Sequence, residues 1–142
     1  MRADTQAVTV DAPATTLYDF VADPENLPKW AVGFAHAIRR DDGTDGTDGD
    51  VWHVRTGQGE VGVRFVTDAR LGTVDFHMTP APGVEVVAYS RVVPSPEGAV
   101  YVFTQLQAPG MPDAVFDAQV RALREELAVL QAVVRARHAC PA

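Results

Sequence analysis

Between Met111 and His138 the chain carries an apolar stripe: Phe116, Val120, Leu123, Leu127, Leu130 and Val134 follow one another at steps of four and three. In an α-helix that spacing puts all of them on one face. Helical over 112–138, the segment is about 40 Å long at a rise near 1.5 Å per residue. Between Phe34 and Gln107 the chain reads instead as short runs punctuated by Gly and Pro, the pattern of strands and turns. A long helix that follows only strands has to bury its stripe against the sheet they form. A curved sheet gripping such a helix can leave a cavity between the two, so the protein is a candidate small-molecule binder.

The rest of the chain fits around that frame. Thr5 to Val10 alternates and reads as a first strand. A short helix starts near Pro13, with Leu17, Phe20 and Val21 as its apolar face. Asp23 caps a second short helix that opens with Pro24 and closes at Leu27-Pro28-Lys29-Trp30. Six strands are expected after it: Phe34–Arg40, Val51–Thr56, Glu60–Thr67, Thr73–Thr79, Val84–Val93 and Ala99–Gln107. Their later connectors, Gly57–Gly59, Asp68–Gly72, Pro80–Gly83 and Pro94–Gly98, are short and contain Gly or Pro, which predicts an antiparallel meander. Only the first strand needs a distant partner. Pro112 and Asp113 suit the first turn of the terminal helix, and Arg135, Arg137 and His138 suit its negative end. The whole chain, 1–142, reads as one domain.

Composition narrows the function. Hydrophobic residues make up 46% of the chain, which favours a folded globule. The net charge of −7, without a basic stripe, argues against nucleic acid and anionic membranes as partners. The opening MRADTQAVTV lacks the apolar core of a signal peptide, and no apolar run approaches the length a membrane helix needs. With Cys140 the only cysteine, no internal disulfide forms, and a cytoplasmic location is expected. Cys140 itself falls on the tail, a poor place for a nucleophile. The five aspartates of 41–50 lack the ligand spacing and distal Glu of a calcium loop and read as a polar hairpin. His36, His53 and His77 fall on different strands without close metal-ligand spacing. No metal and no cofactor are expected.

Two phrases carry a resemblance. Val8-Thr-Val-Asp-Ala-Pro13 followed by Leu17-Tyr-Asp-Phe20-Val-Ala-Asp23-Pro-Glu-Asn-Leu-Pro-Lys-Trp30 is similar to the opening of bacterial polyketide cyclase/dehydrase-type proteins. Pro109-Gly-Met111 and the helix containing Phe116 resemble the end of a subgroup of the same family. The resemblance spans essentially the whole chain. It implies the START-like, or SRPBCC, helix-grip fold: an α+β domain in which a curved seven-stranded antiparallel sheet wraps a long C-terminal helix, with two short helices after the first strand. It also implies a hydrophobic, aromatic or polyketide-like ligand, or alternatively cyclase or dehydratase chemistry in the same cavity. Members of one fold differ in activity, so the resemblance leaves this choice open.

Which sheet face lines the interior is also open. Pairing Val93 with Ala99 puts Tyr89, Arg91, Tyr101, Phe103 and Gln105 on one face, and Val86, Ala88, Ser90, Val92, Val100, Val102 and Thr104 on the other. Apolarity favours burying the second. The family pattern, with the larger side chains of the last strands turned inward, implies the first. On the first, Asp75 and His77 join Tyr89 and Arg91, with Trp30, Phe34 and His36 at one end and Phe116 and Val120 as a roof. The ligand-binding candidates are therefore Trp30, Phe34, His36, Asp75, His77, Tyr89, Arg91, Phe103, Gln105, Phe116 and Val120. In a binder, Arg91 with Tyr89 or Gln105 orients a polar end of the ligand. In an enzyme, Arg91 stabilises an enolate while His77 or Asp75 moves protons. Whichever face is buried, the other keeps apolar side chains, which leaves room for a homodimer.

Overall fold

The computed structural model describes residues 1–41 and 51–139. Residues 42–50 of the aspartate-rich hairpin expected at 41–50, and Cys140, lie outside the described residues. The strands are β1 (Ala3–Val10), β2 (Ala37–Arg40), β3 (Val51–Thr56), β4 (Gly59–Asp68), β5 (Thr73–Ala81), β6 (Val84–Ser95) and β7 (Gly98–Leu106). They form a seven-stranded antiparallel sheet in the order β1-β7-β6-β5-β4-β3-β2. The meander is as expected, and β1 closes it by pairing with β7 from Ala3↔Leu106 to Val10↔Ala99.

Three helices cover the sheet: α1 (Ala14–Ala22), α2 (Leu27–Trp30) and α3 (Asp113–Ala139). Pro13 caps α1, and its carbonyl accepts the Leu17 amide at 3.1 Å. The Asp23 carboxylate caps a single 3-10 turn, Pro24–Asn26, by accepting the Glu25 amide at 3.0 Å. Buried Asn26 ties that turn back to α1 by donating to the Phe20 carbonyl at 3.0 Å. The start of α3 is pinned to β1: Arg2 pairs with Asp117 at 2.8 Å and lies over the Phe116 ring. The stripe on α3 is buried at Phe116, Leu123, Leu127, Leu130 and Val134, as the spacing predicts. The close backbone contacts of α3 are with β1, α1 and α2.

Two expectations are corrected. The strand expected from Phe34 begins only at Ala37, because the Ala31 carbonyl takes the amides of Phe34 and Ala35 in a tight turn. The second correction concerns register. The β6–β7 hairpin is tighter than the expected Pro94–Gly98 loop: both strands run on to pair Ser95 with Gly98, leaving Pro96-Glu97 as the turn. Pro94, rather than Val93, then faces Ala99, and every later pair slips by one, to Val92↔Tyr101 and Ser90↔Phe103. Because side chains alternate, a slip of one reverses the face of one strand relative to the other.

The turn between β4 and β5 depends on a glycine. Gly72 has φ +75°, and a Cβ there would stand 2.5 Å from the Val92 carbonyl oxygen. Its own carbonyl accepts the Val92 amide at 2.8 Å, so the approach is close by construction. Gly72→Ala is expected to cost about 1–3 kcal/mol, from left-handed backbone strain plus the clash. Urea denaturation checks this; an unchanged midpoint would show that the turn relaxes freely.

Candidate functional site

The register decides what faces the helices. The inward set takes Ala88, Ser90 and Val92 from β6 but Ala99, Tyr101 and Phe103 from β7. Each of the two faces expected from the sequence is thus half right. Val74, Phe76 and Met78 of β5 join them, with Val61, Val63 and Phe65 of β4, Val54 of β3 and Ile38 of β2.

Small residues on β6 shape this surface. Ala88 sits beside Phe76, and Ser90 beside Phe103. With so little side chain between them, rings on the two flanking strands meet over β6: Phe76 and Phe103 have centroids 5.7 Å apart. Phe65 packs edge-on against Phe76 at 5.1 Å. At the other end Trp30, from α2, stands perpendicular to Tyr101 at 5.9 Å and edge-on to Phe103 at 6.4 Å. Offset and edge-on pairs at such distances are attractive. The result is a continuous aromatic band from Trp30 through Tyr101 and Phe103 to Phe76 and Phe65.

Burial along the band is graded. Tyr101, Trp30 and Phe76 are buried, whereas Phe34, Ile38, Val61, Phe65, Met78 and Phe103 are partly exposed. The partly exposed members on β2, β4 and β5 lie beyond the strand that α3 contacts most closely.

One charged side chain of α3 is buried against the turn that follows α2. Glu126 is 7% exposed, and its Oε2 accepts the amides of both Gly33 and Phe34 at 3.1 Å. It thereby ties the turn after α2 to the middle of α3. Burial pushes its carboxyl up to about 7, against the two amides, which favour the charged form; Glu125 adds to the rise. A carboxyl in that range gives or takes a proton near neutrality.

The expected site residues divide between the two faces. Trp30, Phe34 and Phe103 belong to the inner surface. Gln105 points the same way but is engaged with α3, donating to the Gln119 carbonyl at 3.4 Å. Phe116 is fully buried beneath Arg2, outside the central cluster, and the Val120 carbonyl accepts a hydrogen bond from Gln6. His36 is exposed beside Gly57 in the β3–β4 turn.

Asp75, His77, Tyr89 and Arg91 share the outer face, which corrects their placement inside. Asp75 does pair with Tyr89 and His77 with Val87, as expected, but the one-residue slip in the last hairpin sends that group outward. Arg91 donates to the Leu71 carbonyl at 3.2 Å. His77 bonds to Glu85 at 2.8 Å and holds that carboxyl below its ordinary value. Tyr89 is 47% exposed. Among the described residues no three of His, Cys, Asp or Glu are grouped to hold a metal.

Sequence reasoning missed Glu126, Ser90, Phe65 and Phe76 as site residues. Glu126 had a signal: it follows Leu123 by three and precedes Leu130 by four, a carboxylate beside the apolar stripe. The small pair Ala88 and Ser90 in an otherwise bulky strand was the signal for the rings above it. A separate groove of about 360 Å³ lies between α1 and the end of α3, bordered by Asp19, Asp23 and Arg137. Its walls mix charged and polar side chains with Phe20 and Val134, and Arg137 already covers the Phe20 ring there, whereas the band offers a run of five packed rings.

The model of the family described as polyketide cyclase/dehydrase and lipid transport matches residues 1–135. The chain belongs to that family. No curated protein matches this member in sequence. Its fold recurs in solved structures. The Zhui aromatase/cyclase from Streptomyces sp. R1128 is 18% identical, with a TM-score of 0.72 over 96% of this chain and 94% of that one. The di-domain aromatase/cyclase BexL from the BE-7585A biosynthetic pathway is 22% identical, with a TM-score of 0.72 over 92% of this chain. This polyketide cyclase/dehydrase family member spans only 45% of BexL. The Bacillus cereus protein XoxI, 15% identical, reaches a TM-score of 0.75 over 94% of this chain and 96% of its own. At these identities the likeness is one of fold: the helix-grip architecture is shared. No helix among the described residues is long and apolar enough to cross a membrane.

Proposed function

We propose that this protein binds a hydrophobic, aromatic or polyketide-like small molecule between the concave face of the sheet and α3. The observation that carries the reading is the aromatic band, in which Phe65 and Phe103 stay partly exposed, as do Met78, Val61 and Phe34. Aromatic ligands gain most from such a surface, through area removed from water and through ring geometry. Ligand contact is assigned to Trp30, Phe34, Phe65, Met78 and Phe103. It is not assigned to Asp75, His77, Tyr89 or Arg91, which leave the opposite face.

A fused-ring probe such as 2-acetylnaphthalene should raise the unfolding midpoint, by about 2.7 kcal/mol of added stability at a hundred times its Kd. Phe103→Ala should weaken binding about tenfold, and Arg91→Met should leave it unchanged. A flat response across a broad set of aromatic probes would remove the reading.

Glu126 favours a second reading, cyclase or dehydratase chemistry at the same place. A carboxyl on α3 that burial pushes up to about 7, and that the Gly33 and Phe34 amides hold in place, is suited to proton transfer to or from a bound ligand. In that reading Glu126 takes the acid–base role first expected of Asp75 or His77. Turnover that survives Glu126→Gln with an unaltered pH profile would exclude it.

A further inference from the structure

Among the described residues, the Tyr101 hydroxyl is the buried side-chain polar atom without a hydrogen-bond partner. The residue is 0% exposed and lies toward the buried end of the aromatic band, between Trp30 and Phe103. The Ser90 hydroxyl next to it gives its own hydrogen to the Val74 carbonyl at 2.6 Å. Burial raises the phenol above its ordinary range, with Ser90 opposing the shift, so the group stays a neutral O–H donor at working pH. An unpaired hydroxyl in the interior is costly, and phenylalanine would fill the same volume without that cost. A buried donor without a hydrogen-bond partner, set among aromatic rings, is the kind of sparse polar group that orients a ligand.

We infer that the Tyr101 hydroxyl is the polar anchor of the site, donating its hydrogen to an oxygen acceptor, such as an aryl carbonyl, on the bound aromatic molecule. It takes the orienting role that the sequence pointed to in Arg91, Tyr89 or Gln105. This inference rests on the concave face being a ligand site and adds to it the chemical class of group the ligand must present. Trp30 and Phe103 flank the anchor, so the acceptor is expected to be attached directly to a flat ring system.

The test compares 2-acetylnaphthalene with 2-isopropenylnaphthalene, in which a methylene replaces the carbonyl oxygen at nearly the same shape. Equilibrium dialysis measures both probes against the wild-type chain and Tyr101→Phe. The wild type is expected to prefer the ketone about five- to tenfold more than the variant does, the worth of one net hydrogen bond. The variant should bind the hydrocarbon as well as the wild type, and without ligand it should be at least as stable. An equal preference in both proteins would overturn the anchor while leaving the ligand site standing. So would a marked loss of unliganded stability in Tyr101→Phe, because the hydroxyl would then be satisfied internally, through Ser90. Failure of both probes to bind the wild type would remove the ligand site itself and the anchor with it.

Discussion

The Glu126→Gln variant is expected to be more stable than the wild type at pH 8, by on the order of 3 kcal/mol, and to lose that advantage toward pH 4. The reason is where the carboxyl sits. In the folded chain burial raises it from 4.5 to about 7. A carboxyl whose folded value is raised contributes its full stability below the unfolded value, where it is protonated in both states. That stability is lost as pH climbs through 4.5 toward 7, because the unfolded chain ionises first while the folded chain must keep a proton or bury a charge. Glutamine keeps a carbonyl oxygen for the Gly33 and Phe34 amides and has no charge to bury. Urea denaturation of both proteins from pH 4 to pH 8 checks the sign and the window. A difference that is flat with pH, or that grows toward acid, would mean that Glu126 is ionised in the fold and that the two amides outweigh its burial.

Trp30→Ala is expected to cost about 3–5 kcal/mol, the range for removing a large buried ring. Trp30 is 2% exposed, and its ring makes perpendicular or edge-on contacts with both Tyr101 and Phe103. It sits in the last turn of α2, where the chain turns toward Gly33 and Phe34 and the Glu126 contact. Its loss therefore opens a void at the buried end of the aromatic band and loosens the α2–α3 contact together. Against a typical total of about 5–15 kcal/mol, the variant would be marginal. Urea midpoints and near-ultraviolet circular dichroism measure this; Trp30→Phe should recover much of the loss. A cost below about 1 kcal/mol would show that the ring is not part of the packed wall.

Much of the architecture was legible because it follows from short-range periodicity. The stripe on α3 recurs at helical spacing, and Asp23-Pro24 sets the 3-10 turn by capping. Gly and Pro between the strands mark the hairpins. The site was less legible, since it depends on which way β7 turns relative to β6. Pro94–Gly98 reads as a five-residue loop by composition. Instead the strands continue through Pro94 and Ser95, and one residue of slip moves Arg91 and Tyr89 outside while leaving Tyr101 and Phe103 in. The enzyme alternative gives His77 or Asp75 a proton-transfer role, yet His77 serves a surface contact with Glu85 and Asp75 faces outward. Glu126 was read past because a charge near a helix stripe defaults to solvent unless another segment covers it. Here the segment that covers it is the turn at Gly33 and Phe34, nearly a hundred residues away in the chain.

Local patterning alone determined the elements, their order and the antiparallel path of the strands, because helix and strand periods are written in consecutive residues. The choice of which side chains meet belonged to tertiary structure. Face selection is a parity set by a hairpin's length, and the raised pKa of Glu126 is a property of distant neighbours excluding water. Neither quantity exists in any single stretch of the chain until the sheet has closed on the helix.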